Sequence, residues 1–275
     1  MGVPVALVAR DVLKVSGRDA LSFLDSQISQ DLKSLEDGRG AASFLLQPDG
    51  KIVDLIGVHR IGDEVLIDVD RSAFELVEQR LRRFLFRVEV VLEPSDYLVA
   101  WWPEGAPLGD TASVRTFGRS GQLALCHALG RDAQLLSDEE VQQERIVREI
   151  PFFGAEITDR TIPAALGTGI VASAVSFTKG CYTGQELVAR LDARGNQVPF
   201  HLVKVTADEA LCVGDALDAQ GEGPKGTVTS VALSRDGQSF LGLGFVHRSQ
   251  TNAASVRLPN GGEARIQLLE GASIF

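Results

Sequence analysis

The sequence predicts an α+β protein: alternating strands and helices over most of its length, then an all-β module at the end. Three observations carry this. In "GRDALSFLDSQISQDL", Leu21, Leu24, Ile28 and Leu32 recur at helical intervals. "AASFLLQPDGKIVDLIGVHRIGDEVLIDVD" reads as three strands separated by the turns "QPDGK" and "IGDE". After Pro199 the texture becomes short strands parted by turns such as "RDG" and "NGG", the pattern of a small β-barrel.

The remaining elements follow in order. "DVLKVSG" alternates as a strand before the first helix. "RSAFELVEQRLRRFLF" is an amphipathic helix whose Arg80, Arg82 and Arg83 form a solvated face, and "RVEVVLEP" and "DYLVAWW" are strands. Residues 43 to 126 thus read as strands with a helix laid on one face. "SDEEVQQERIVREI" is a helix opened by a capping box from Ser137 and Glu140. Pro151 to Phe177 is long and irregular, and a loop of that length inside a domain is often functional. A domain break falls near residues 195 to 200.

Composition narrows the function. With 27 basic and 37 acidic residues the net charge is −10, which argues against a direct grip on nucleic-acid backbone. There is no signal peptide and no run of about 18 apolar residues to span a membrane, so a cytoplasmic protein is expected. Cys126, Cys181 and Cys212 lie far apart with no CxxC pair, and the four histidines form no HExxH pattern, so the chain spells no metal site.

The stretch "FTKGCYTGQELVARLDARG" concentrates the chemistry. Thr183 and Glu186 stand in T-x-x-E relation, which puts a helix start at Thr183. Cys181 then lies two residues upstream, where free N–H groups, the positive end of the helix dipole and Lys179 all favour thiolate. Gly180 and Gly184 permit close approach of an anion to the backbone. Gln185 offers a donor and an acceptor to a heterocycle edge. Arg190 and Arg194 fall four apart, on one helical face. A cysteine among glycines also serves simply as a small residue in a tight turn, and no His or Asp partner can be assigned to it.

The segment Lys179–Glu186, K-G-C-Y-T-G-Q-E, resembles the signature of the YgfZ family of folate-binding proteins, which are related to the glycine-cleavage T-protein, an aminomethyltransferase. "LKVSGRDALSFLDSQISQDL", "FLLQPDGKIVDLIGVHR", "ERIVREIPFFGAEITDRTIPAALG", "GTVTSVALS" and "LGLGFVHR" extend the resemblance along nearly the whole chain. It implies three modules around a central cavity: a discontinuous N-terminal module (1–42 plus 127–198, carrying the motif), a ferredoxin-like module (43–126) and a C-terminal β-barrel (199–275). The cavity would hold tetrahydrofolate or a derivative, with Asp54, His59, Tyr182, Gln185, Arg190 and Arg194 as contacts. Cys181, poised by Lys179, would be the reactive thiol. The implied role is in assembly, maintenance or repair of iron–sulfur enzymes, tRNA-modifying ones included. The implied partners are folate and iron–sulfur client or assembly proteins, not nucleic acid or a membrane, for a chain expected to be a monomer.

The chain also departs from the T-protein pattern. Leu55 follows Asp54 where the T-protein has a second acid. "TFGRSGQLAL" replaces an acid-containing G-Y-T-G-E turn, and Ala165 stands where many relatives keep an acid. Each loss weakens aminomethyl transfer, because a placed acid must manage the proton at the folate nitrogen. Two alternatives therefore stand beside the accessory role: a folate-dependent aminomethyltransferase or demethylase, and a non-catalytic folate-binding scaffold in which Cys181 only fills its turn. Trp101 and Trp102 are further candidates for stacking on a flat ring.

Overall fold

The computed structural model describes residues 2–118, 121–218, 225–253 and 255–269. The chain runs β1 (Val3–Leu7), β2 (Arg10–Ser16), α1 (Ala20–Gln27), β3 (Gly40–Leu46), β4 (Ile52–Ile61), β5 (Glu64–Asp70), α2 (Phe74–Arg82) and β6 (Val91–Ser95). Then come β7 (Leu98–Trp102), β8 (Gly109–Phe117), β9 (Gly121–Leu129), β10 (Ala133–Leu135), α3 (Asp138–Val147), α4 (Thr168–Ala174) and α5 (Gln185–Asp192). The last strands are β11 (Phe200–Ala207), β12 (Gly226–Leu233), β13 (Phe240–His247), β14 (Ser255–Arg257) and β15 (Glu263–Leu268).

These strands form three five-stranded sheets, which makes the protein a sheet-rich α+β fold. In the first, of order β3-β4-β5-β2-β6, α1 connects β2 to the β3–β4 hairpin and α2 connects β5 to β6. That is the split βαβ topology of ferredoxin-like folds. Phe23 and Leu24 of α1 and Val77 and Leu81 of α2 pack on Leu13, Ile56 and Ile67 of this sheet. The second sheet, β10-β1-β7-β9-β8, buries Trp101 and Trp102 on its two faces. The third, β12-β13-β11-β15-β14, is antiparallel throughout. Residues 216 and 218 bridge singly to β12 and β14, its two edge strands.

The sheets do not follow the module boundaries expected at residues 43 and 126. The ferredoxin-like topology spans residues 10–95, because β2 pairs with β5 and β6, whereas β7, β8 and β9 join β1. Helix α1 also stops earlier than its pattern suggests. Ile28 turns extended and bridges Leu45, and Ser29 Oγ donates to Ala174 O at 2.6 Å while accepting from Phe44 N at 2.8 Å. The capping box of α3 forms as read: Ser137 Oγ accepts from Glu140 N at 3.3 Å and Glu140 Oε2 from Ser137 N at 2.8 Å. The irregular stretch 151–177 contains α4, whose Ile170, Val171 and Ala174 join Phe44, Leu46, Tyr182, Leu202 and Leu243 in one core. Among the described residues no helix is long and apolar enough to cross a membrane.

Candidate functional site: a clamped cysteine loop and a separate inner cavity

The motif loop is fastened from within. Lys179 Nζ donates to the carbonyls of Asp25 (2.7 Å), Ile28 (3.1 Å) and Gln30 (2.6 Å) and lies 3.1 Å from the Asp25 carboxylate. Burial pushes its pKa down, with Asp25 opposing. An ammonium has three donors, so this one is spent on the chain after α1 rather than held free for a thiolate. Tyr182 is buried in the core, and burial raises its phenol to about 12. Gln185 Oε1 turns back to accept from Tyr182 N at 3.1 Å.

The expected capping box at Thr183 does not form. Gly184 is the residue that opens α5, at φ +84°, and no side chain caps the helix. Thr183 instead accepts no role in α5: its N donates to Ser26 O at 3.1 Å and its Oγ1 to Gln27 Oε1 at 3.4 Å. Gly184 is needed for space as well as for φ, since a Cβ there would sit 2.6 Å from Gln47 O. Gly50, in the "QPDGK" turn, is its counterpart: at φ +85° its Cβ would meet Leu187 Cβ at 2.6 Å. Each turn fills the other's missing side chain. Within this clamp Cys181 is exposed, and a Cβ on neighbouring Gly180 would meet nothing within 4 Å. Arg190 and Arg194 are also exposed; α5 ends at Asp192, so the two do not share a helical face.

Asp54 and Leu55 belong to a different place, a cavity of ≈190 Å³ walled by Arg10, Trp101, Phe117, Arg145 and Phe152. Asp54 is buried; its carboxylate accepts from Leu55 N (2.8 Å) and Asp70 N (3.0 Å), with Arg10 Nη2 at 4.0 Å. Burial raises it to about 6, because Arg10 recovers only part of the lost hydration. Trp101 stands edge-on to Phe117, with ring centroids 5.6 Å apart. Trp102 faces the other core and Ala165 packs with Ala164 and Val198, so neither is at the cavity.

His59 lies behind the cavity, fully buried. Its Nε2 donates to Asp68 Oδ2 at 2.7 Å, which leaves Nδ1 to accept from Ser113 Oγ at 3.0 Å; burial keeps the ring neutral by lowering its pKa. Both ring nitrogens are taken. Asp68 is the hub of this cluster: Arg115 grips it through Nε and Nη2, each at 2.9 Å, and Arg10 Nε also donates to it. Sequence reasoning missed Arg10, Asp68 and Arg115. The one signal was a charge standing inside each of the apolar strands "EVLIDVD" and "TASVRTF".

Asp54 carries a testable sign. Its folded pKa of about 6 lies above the ordinary carboxyl value of 3.8, so between these limits the folded state binds more protons than the unfolded one. Stability from this group is therefore greatest at low pH and falls as pH rises through that window. Asp54→Asn removes the slope. The melting temperature of the variant minus that of the parent is expected to climb from about pH 4 to pH 7; a flat difference would mean that Asp54 ionises like an ordinary carboxyl.

The fold is similar to that of a solved aminomethyltransferase T. The glycine cleavage system aminomethyltransferase T from Bartonella henselae superposes with a TM-score of 0.78 at 15% identity, covering 99% of this chain and 86% of that one. In sequence the chain is a homologue of proteins named tRNA-modifying protein YgfZ. The Yersinia pestis (strain Pestoides F) protein is 25% identical over 280 residues, 87% of this chain and 84% of its own. The Aliivibrio fischeri (strain ATCC 700601 / ES114) protein is 24% identical over 256 residues, 83% and 80% of the two chains. No family profile matches the chain.

Proposed function

We propose that this protein is a folate-binding accessory factor for iron–sulfur enzymes, with a pterin ring in the inner cavity and Cys181 offered to a partner. One observation carries the reading. In K-G-C-Y-T-G-Q-E, the lysine, tyrosine, threonine, second glycine and glutamine are all committed to internal contacts, while Cys181 is exposed. A loop built this way presents a thiol to something outside the chain. Among the described residues no three His, Cys, Asp or Glu side chains gather as metal ligands. A thiol acting on a cluster would therefore share it with ligands from the partner.

The cavity residues fit a folate head. Asp54 offers acceptors or, when protonated, a donor; Arg10 offers a cation; Trp101 and Phe117 offer flat apolar faces. At ≈190 Å³ it is smaller than the roughly 300–1,000 Å³ of ordinary ligand pockets, so it suits one fused ring, with the tail of the ligand running outward. Folate would supply one-carbon or redox chemistry when bound; the chain's own part is to orient the ring and exclude water. Tyr182 and Gln185 are then support for the motif loop, His59 is held by Asp68 and Ser113 outside the cavity lining, and Arg190 and Arg194 are exposed away from it, so none of them is a ring contact. The arrangement in three modules, with the third sheet closed as a barrel, is part of this reading, as are a monomeric state and a cytoplasmic location.

The relatives' name ties them to tRNA modification. An acidic chain suits an indirect tie, through a client enzyme rather than through RNA. A second reading, aminomethyl transfer or demethylation, draws on Asp54, a buried carboxyl near pH 6 in the cavity; Leu55 beside it leaves that carboxyl without the T-protein's second acid. Titration calorimetry with tetrahydrofolate separates the readings when run on the parent, Cys181→Ser and Asp54→Asn. Micromolar binding by the parent and Cys181→Ser, reduced in Asp54→Asn, is expected, together with loss of iron–sulfur enzyme activity in cells carrying Cys181→Ser. Full activity of that serine variant would overturn the role of the thiol. Turnover of a methylated amine to a one-carbon folate would instead favour the second reading.

A further inference from the structure

A larger cleft, of ≈990 Å³, lies on the outside between α3 and β12. Its floor is apolar: Pro103, Leu136, Val231 and Leu233, the last 47% exposed. Its walls carry five carboxylates, Glu104, Asp138, Glu139, Glu140 and Glu144, against one lining cation, Arg235. Some of that charge is already met. Arg235 pairs with Glu144 and reaches Glu104 at 3.6 Å, and Arg148 lies 3.2 Å from Glu144. Glu140 is occupied by the cap of α3. Asp138 and Glu139 are exposed on the first turn of that helix, and among the described residues neither has an ion-pair partner. The surplus is negative.

The strand at the cleft is also an edge. β12 is outermost in its sheet, and its first half is covered by residues 214–217: Gly214 N donates to Val228 O at 2.8 Å and Val228 N to Asp215 O at 2.9 Å. A bulge between Val228 and Ser230 turns the second half toward α3, where Gln143 Nε2 donates to Leu233 O. The cleft follows this edge, so alternate side chains of an extended segment laid along it would reach the floor and the acidic walls.

We propose that this cleft is a docking groove for an extended segment of a partner protein in which apolar residues alternate with lysine or arginine. The apolar side chains sit on Leu136, Val231 and Leu233, and the cations face Asp138 and Glu139. Cys181 is not part of the groove, whereas Asp138 and Gln142 line both the groove and the inner cavity. The groove gives the accessory factor a means of holding a client that is separate from the thiol.

The test uses the intact protein and three short fluorescent peptides of equal length, alternating lysine–valine, lysine–serine and glutamate–valine. Anisotropy should register saturable binding of the lysine–valine peptide alone. Asp138→Lys/Glu139→Lys should weaken it by about tenfold or more, since both side chains are on the rim and the reversal places like charges together. Leu233→Ser should weaken it without changing the melting temperature. Equal binding of the lysine–serine peptide would reduce the cleft to a diffuse acidic surface and overturn the proposal, as would binding unchanged by the charge reversal. Failure of all three peptides to bind, or a concentration-dependent rise in the mass of the protein alone that occludes the cleft, would overturn it too.

Discussion

Asp68→Ala is expected to unfold the protein near physiological temperature. Burial alone would raise the Asp68 carboxyl, but Arg115 and Arg10 overcome it and hold the pKa well below the usual range. Removing the carboxylate leaves two buried guanidiniums facing each other and the His59 N–H without its acceptor. Breaking a buried pair in this way costs about 3–5 kcal/mol, and here two pairs share one acid, against a total stability of about 5–15 kcal/mol for a typical domain. The cluster is packed against Gly57, where a Cβ would lie 1.7 Å from Asp68 Oδ2. Denaturant unfolding of Asp68→Ala and Asp68→Asn measures this. A loss under about 1 kcal/mol for the alanine variant would show that water reaches the arginines. The pH sign follows from the lowered pKa. Asp68 contributes its stability above the unfolded carboxyl value and loses it as pH falls through the folded one, opposite to Asp54.

Glu156→Ala is expected to be nearly as costly and to act at a seam. Glu156 is fully buried. Its Oε2 accepts from Arg145 Nη1 (3.1 Å) and Phe152 N (3.0 Å), and its Oε1 from Thr229 Oγ1 (2.5 Å) and Ser230 Oγ (2.6 Å). The acid thus joins α3 and the loop after it to β12 of the third sheet. Alanine leaves Arg145 buried without its carboxylate and Ser230 Oγ without its acceptor, while Thr229 Oγ1 keeps Leu243 O at 3.1 Å; the loss is about 3–5 kcal/mol. Hydrogen exchange should find the loss concentrated in β12 and β13 before global unfolding. Uniform exchange across all three sheets would argue that the seam opens only with the whole molecule.

Local features were legible in the sequence. The "QPDGK" turn, the cap at Ser137 and the β character after Pro199 were all read from short-range pattern, and the motif pointed to the relatives later found by comparison. What spacing could not give was pairing. Arg10, Asp68 and Arg115 meet from three separate strands, 47 and 58 residues apart along the chain, and no periodicity links such positions. The same blindness misplaced the ferredoxin-like boundaries, since β2 reads as a strand wherever it pairs. At the motif, T-x-x-E looked like a cap, but Thr183 is drawn instead toward Ser26 and Gln27, a tertiary preference that overrides the local one. Both tryptophans were candidates for stacking on a flat ring; alternation along β7 sends them to opposite faces, both buried, and only Trp101 lines the cavity.

The interlocked glycines have a kinetic meaning. With Gly50 seated on Leu187 and Gly184 on Gln47, the cysteine loop cannot relax unless the β3–β4 hairpin moves with it. The conformational entropy of that loop is surrendered once, when the chain folds, and not again at each encounter. On the function proposed above, a partner would meet a thiol presented from a loop already tied to the β3–β4 hairpin, so the rate of engagement would be set by how often the partner arrives in the right orientation rather than by a search on this side of the contact.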